Sequence, residues 1–273
     1  MRRTVVTVSI HAVLLLSAVL TLLPLLWMVS ASLMPPGEAS ALPPRLLPSR
    51  PTLEHYGSLL SRLKLAQSLF NSAFLATVTT AIALFLNSMA GYAFAKLRFA
   101  GRDRLFRGLL AALVIPGQVA MLPLFLMLKQ MGVVNTYWGV IIPGMASVFG
   151  IFLVRQYALS IPDSLLDAAR IDGAGEFRIY RSLVLYVCAP ILVTLAVFTF
   201  MGTWNDFLWP LVVLTDDGMY TLPVALANLA GEHVQDTELM MAGAVLAVLP
   251  VMLLFIVLQR YYVAGIMSGG VKE

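Results

Sequence analysis

Charge is what this chain has least of. Of its 273 residues only 12% are Asp, Glu, Lys or Arg, about half the share of an ordinary soluble domain. Cysteine is reduced to Cys188 alone, so no intrachain disulfide can form and a disulfide scaffold is excluded. Only His11, His55 and His233 accompany it, far apart in sequence, and no metal-ligand spacing can be assembled. A mean hydropathy of +0.88 with 60% apolar residues rules out a disordered chain and a water-soluble enzyme, because most of a soluble surface must face water. Nor does any basic stripe interleaved with aromatics suggest nucleic acid. Lipid is the expected solvent.

The few charges are arranged in a pattern. Thr4–Gly37, Leu65–Ala95, Gly108–Leu128, Gln130–Val154, Ser182–Asn205 and Leu239–Gln259 contain none, and these six runs hold 156 of the 273 residues. Each is at least 21 residues long. A helix needs about 20 apolar residues to cross a bilayer, whereas barrel strands alternate over about 10. The expectation is an all-α integral membrane protein forming one domain over 1–273. Its six transmembrane helices would lie near 9–33, 68–95, 106–128, 137–157, 186–214 and 239–261. The stretch Val5–Leu33 exceeds the 7–15 residues of a signal core, and Met34-Pro35-Pro36 is a poor cleavage context, so the first run reads as an uncleaved span. With both termini cytoplasmic, 13 Lys and Arg fall inside and 5 outside, as the positive-inside bias demands.

Between spans, residues 34–67 are proline-rich and read as an extended outer connector. Residues 96–107 form a basic inner turn, and 216–238 an acidic outer loop. The longest inner connection, Arg155–Arg181, balances four acids against four bases around Ala168, Ala169, Gly173, Ala174 and Gly175. Ser160 and Pro162 mark a helix start with Asp163 in its first turn. Asp167 and Arg170 are spaced to pair, Gly173 can stop the helix in a left-handed conformation, and Phe177–Leu183 can restart one. An interfacial linker would carry larger apolar residues and more Lys and Arg. Small residues at the centre instead permit close approach by another protein, so a docking knob and a plain linker stand about level on the residues alone.

Asp167-Ala-Ala-Arg-Ile-Asp-Gly-Ala174, Trp204-Asn-Asp-Phe-Leu-Trp-Pro-Leu211 and the ending Gln259–Gly265 through Gly269–Lys272 together resemble the maltose-type permeases of ABC importers. The first segment is similar to their EAA motif. The resemblance covers essentially the whole chain and implies a type I importer permease in a bacterial inner membrane. Coupling to a cytoplasmic ABC ATPase dimer would then fall to Asp167, Ala168, Ala169, Asp172, Gly173, Ala174 and Phe177 within 163–181. A second homologous permease and an extracytoplasmic solute-binding protein are implied as further partners, with membrane lipid around them. This chain is expected to bind no cofactor and catalyse nothing. Its four lysines follow Leu63, Ala95, Leu128 and Val271, so it has no P-loop, and ATP and magnesium would be held by the ATPase. Asp167 stands where the family usually has Glu, and Tyr186 where it often has Pro.

Polar groups inside spans usually face a partner or a cavity. Asn71, Asn87, Gln118, Asn205 and Asp206 qualify, and Trp204, Asn205 and Asp206 suit a saccharide, which aromatic faces and amide or carboxylate groups hold. For Asp206 a packing hydrogen bond, or a place near an aromatic belt of Trp204 and Trp209, is the stronger expectation. Trp204, Asn205, Asp206, Asn87 and Gln118 are the candidate pathway residues. No Lys or Arg lies deep in a span, which disfavours glycerol phosphate, although that solute or another polyol is the alternative cargo. A self-contained secondary carrier would need paired acids or broken helices in both halves, and Asp206 is the only internal acid. Ser61-Arg-Leu-Lys64 matches Ser-x-x-Lys by chance, since neither Ser-Asp-Asn nor Lys-Thr-Gly follows.

Overall fold

A computed structural model describes residues 2–43, 45–61, 64–232 and 236–270. Among them every regular element is helical: α1 Arg2–Ala31, α2 Glu54–Ser61, α3 Leu65–Lys96, α4 Arg102–Ala112, α5 Met121–Gln130, α6 Tyr137–Gly144, α7 Val148–Ala158, α8 Asp163–Ile171, α9 Glu176–Ile179, α10 Leu185–Val187, α11 Ala189–Trp204, α12 Leu208–Val213, α13 Leu222–Glu232 and α14 Thr237–Gly270. Two compact units divide the chain, one of 1–66 with 225–250 and one of 67–224 with 251–273.

In the first unit α1 exposes Leu15, Leu20 and Leu26, the surface expected of a helix solvated by lipid. The connector after it is tied down rather than loose. His55 Nε2 lies 2.9 Å from the Met34 carbonyl, Ser32 Oγ 2.8 Å from Tyr56 Oη, and Thr52 N donates to Leu33 O at 2.9 Å. Farther along, Ala39 N donates to the buried Glu238 carboxylate at 2.7 Å. A proline-rich stretch gives up little chain entropy on ordering, so a few such bonds suffice.

In the second unit the long helix α3 is the post. Around Leu75 it joins a cluster of Leu128, Val140, Ile141, Trp209, Val213 and Leu214. Around Tyr92 and Ala95 it joins another with Ala158, Ile161, Leu166, Ile179, Tyr180, Val184 and Cys188. Seventeen residues separate Leu75 from Tyr92, about 25 Å along a helix. The run α6–α7 lies beside α3 in the same direction: a Cβ on Gly144 would come 2.6 Å from Thr79 Cγ2, one on Gly150 2.7 Å from Asn87 Nδ2, and one on Gly91 2.7 Å from Val154 Cβ. Small residues at matched positions let helices approach closely where hydrophobic burial alone drives nothing.

Among the described residues three helices are long and apolar enough to cross a bilayer unbroken: Ser9–Ala31, Leu65–Lys96 and Thr237–Val257. Where single spans were expected over 106–128, 137–157 and 186–214, the chain forms bent pairs. Arg102–Ala112 meets Gly117–Gln130 at 96°, Tyr137–Gly144 meets Val148–Ala158 at 40°, and Glu176–Val187 meets Ala189–Trp204 at 80°. Pro116, Pro143 and Pro190 lie at or beside these breaks, as a residue that removes an amide donor should. A π-helical turn at 180–184 precedes the third bend.

Candidate functional site

The segment after α7 is built by local chemistry. Lys96 Nζ, at the end of α3, donates to the Ile161 carbonyl at 2.6 Å and the Asp163 carboxylate at 2.7 Å. This satisfies a carbonyl and pins the first residue of α8. The bond and the positive charge of Lys96 hold the Asp163 carboxyl below its ordinary range. Leu166 turns into the core around Tyr92 and Leu165 stays outside, settling which face of α8 is buried.

At its other end α8 closes with paired bonds: Gly173 N to Arg170 O and Ala174 N to Ala169 O, both 3.0 Å. Gly173 sits at φ +81°, the left-handed residue this closure needs. Arg170 then bridges Asp167 at 2.7 Å and Glu176 at 2.8 Å, across the glycine break. The other oxygen of Glu176 accepts from Tyr92 Oη at 2.7 Å, and Tyr180 Oη lies 2.7 Å from Ser88 Oγ. The loop is thus fastened to the end of α3 at three places.

Of the seven candidate coupling residues, Asp167, Ala168, Asp172, Gly173 and Phe177 are exposed, while Ala169 and Ala174 pack partly against the core. Ile171 is 86% exposed and Phe177 61%, two large apolar groups flanking the glycine break. Ile171 was missed in the sequence, where it reads as one more apolar residue. Lys96, Tyr92 and Glu176 were missed because pairs separated by 67 and 84 positions leave no local signal. The absent proline at 186 does not straighten the exit. Tyr186 is exposed, and the chain bends just beyond it at Cys188–Pro190.

A second feature lies beside the middle of α3. A cavity of about 390 Å³ is lined by Thr79, Gln118, Gly144, Asp206, Leu208 and Trp209 among others. Asp206 accepts from Trp209 N at 3.3 Å, and Trp209 Nε1 donates to Gly139 O at 3.0 Å. Asp206 therefore both packs and lines the space. Thr79 Oγ1 is buried without a hydrogen-bond partner among the described residues.

The cavity brings together Gln118 and Asp206 but not the other candidates. Trp204 is buried and stacks on Phe200 with centroids 5.9 Å apart, and Asn205 caps α11 on an exposed turn. Asn87 accepts from Ser147 N at 3.0 Å, binding α3 to the start of α7. Asn71 is a fastener too, accepting from Tyr137 Oη and donating to Gly218 O and Tyr220 O. Trp204 and Trp209 are both buried, so they form no lipid-facing belt here. Thr79 and Trp209 went unselected because a threonine in a span is ordinary packing and Trp209 read as interfacial.

Comparison with known proteins now fits this geometry. Residues 87–268 match the model of the family described as binding-protein-dependent transport system inner membrane component. An arabinooligosaccharide transport system permease of Halalkalibacterium halodurans is 38% identical over 258 residues, covering 93% of this chain and 92% of its own. The lactose transport system permease of Rhizobium radiobacter is 32% identical and covers 100% of this chain and 98% of its own. A crystal structure of a bacterial ABC transporter involved in import of the acidic polysaccharide alginate aligns with a TM-score of 0.85 at 25% identity, over 96% of this chain and 98% of that one.

The chain belongs to the family of binding-protein-dependent transport system inner membrane components. It is accordingly a multi-pass protein of the bacterial inner membrane and an ABC permease, a channel-forming rather than catalytic subunit, in a family that works with an ATPase and a substrate-binding protein.

Proposed function

We propose that this chain forms half of the translocation pathway of an ATP-driven sugar importer, a second homologous permease supplying the other half. An ATPase dimer would hold and hydrolyse ATP with magnesium and receive the loop 163–181, and an extracytoplasmic solute-binding protein would deliver cargo. Six spans with cytoplasmic termini suit this reading. The parallel course of α3 and α6–α7 supports it, since two parallel spans would need the apolar stretch 102–130 between them to return the chain.

The observation that carries the proposal is the way the exposed loop is fastened. Its surface presents Ile171, Gly173 and Phe177, while its underside is tied to α3 through Lys96, Tyr92 and Ser88 and shares a core with the end of α7. An ATPase cleft gripping the loop could not move α8 without moving the ends of α3, α7 and α10 together. Closure on ATP would thus be transmitted as a lever, with the 80° bend before α11 redirecting it toward the cavity. Loosening the loop would separate hydrolysis from transport.

Sugar as cargo is supported by the relatives, whose names specify arabinooligosaccharides and lactose. The cavity agrees chemically. Asp206 and Gln118 offer hydrogen bonds beside the Trp209 ring, and its volume falls in the range of small-molecule sites. Its lining includes no Lys or Arg, which favours a neutral saccharide over glycerol phosphate. The test is purification of the chain from native membranes in mild detergent, followed by uptake in proteoliposomes. Recovery of an ATPase and a second permease, with ATP-dependent sugar uptake, is expected. Uptake by the chain alone without ATP would overturn the proposal.

A further inference from the structure

The turn between α3 and α4 carries a feature that neither the coupling loop nor the cavity uses. Arg98, Arg102, Arg104 and Arg107 line a concave pocket of about 730 Å³ together with Phe99, Gly101 and Asp103. Four guanidinium groups face one carboxylate. Arg102 spends part of its donors on Asp103 at 3.1 Å and the Leu97 carbonyl at 3.2 Å, and Arg107 donates to the Asp103 carbonyl at 3.2 Å. Arg98 and Arg104 make no hydrogen bond or ion pair among the described residues. Arg98 is only near enough to Asp163 to help hold that carboxyl down.

The backbone adds to the positive field. Gly101, at φ +81°, turns the chain into the eleven-residue helix α4, whose first turn has no side-chain cap. Partial positive charge from a helix start favours anions. The pocket wall is held in place from behind: Phe106 is buried under the Arg155 guanidinium at 4.1 Å, and Arg155 itself donates to the Phe94 carbonyl at 3.2 Å.

What surrounds the pocket selects its occupant. The apolar helix α3 ends at Lys96, and α4 leads away into exposed Leu105, Leu113, Val114 and Ile115. Exposed Phe99 lies in the pocket itself. Guanidinium forks match phosphate oxygens two at a time, and here they stand where lipid-facing surface begins. We infer that this pocket binds the phosphate headgroup of an anionic phospholipid, phosphatidylglycerol or a chemically similar lipid, with Phe99 against its glycerol and acyl region. The inference rests on the topology proposed above, which places the turn at the cytoplasmic leaflet, where basic groups beside a span attract acidic lipids.

The test uses the intact complex, with every partner that co-purifies, in nanodiscs of phosphatidylcholine containing a photoactivatable phosphatidylglycerol or a photoactivatable phosphatidylcholine. Labelled peptides are located by mass spectrometry. Labelling within 98–107 by phosphatidylglycerol but not phosphatidylcholine is expected, falling on the order of tenfold in the double variant Arg98→Gln with Arg104→Gln. The double lysine variant, which keeps the charge but loses the fork, should fall between the wild type and the glutamine variant. Both arginines are exposed, and co-purification of the ATPase with each variant verifies that the permease still folds and assembles. Loss of labelling with the ATPase retained supports the lipid site independently of cargo. Equal labelling by both lipids, undiminished labelling in the glutamine variant, or crosslinking of 98–107 to another subunit instead of lipid would overturn it. So would displacement by millimolar inorganic phosphate, which would show a site for a free anion.

Discussion

Gly173 shows how much one backbone conformation can carry. It has φ +81° with open space around the position of a Cβ, so a side chain there would suffer from conformation rather than collision. A left-handed residue other than glycine costs about 1–2 kcal/mol, and a β-branched one loses the most. Gly173→Val is expected to leave the permease in the membrane while weakening ATPase recovery and uncoupling hydrolysis from uptake. Normal uptake with normal assembly would contradict this. Asp206 belongs to the other site: Asp206→Ala should change sugar uptake with the ATPase still bound, and failure of membrane insertion would return Asp206 to a packing role.

Asp163 gives a pH dependence with a definite sign. Lys96 lowers the folded-state pKa of Asp163, so the ion pair contributes fully above the ordinary carboxylate value of about 3.9 and is lost as pH falls through the depressed value. The thermal stability difference between the wild-type complex and Asp163→Asn should therefore be constant near neutrality and close in acid. A difference that widens on acidification would refute the anchoring.

At the scale of elements, the bent pairs decide what could be read in advance. The charge-free runs announced six apolar segments because desolvation is indifferent to local bends. They gave no warning of a 96° turn near Pro116, since whether a proline kinks, breaks or merely starts a helix depends on what packs around it. The close packing of α3 on α6–α7 was equally silent, because Gly91, Gly144 and Gly150 acquire meaning only when Val154, Thr79 and Asn87 arrive opposite them. Gly91→Ala puts a methyl 2.7 Å from Val154 Cβ, and overpacking of this kind costs about 1–3 kcal/mol. A lowered melting temperature of the purified complex is the expected result; an unchanged one would mean the helices separate freely there.

For the whole molecule, the loop 163–181 was legible where its chemistry is local. Asp167 with Arg170, the glycine stop and the restarted helix all lie within a few residues of one another. Its anchoring to Lys96, Tyr92 and Ser88 was not, because those contacts exist only once α3 stands beside α7. The cavity lay between these cases: Asp206 and Gln118 drew attention as polar groups in apolar runs, whereas Thr79 became informative only as a buried hydroxyl left without a partner. In the proposed mechanism, loop movement is coupled to passage of a sugar through this subunit. The most direct measurement of this coupling is uptake of a labelled oligosaccharide, chosen as a ligand of the co-purified binding protein, into proteoliposomes holding the complete complex, with and without ATP and with wild-type or Gly173→Val permease. Accumulation that requires ATP, and that collapses in the variant while hydrolysis continues, is the expected result. Equal accumulation without ATP, or in the assembled variant, would contradict it.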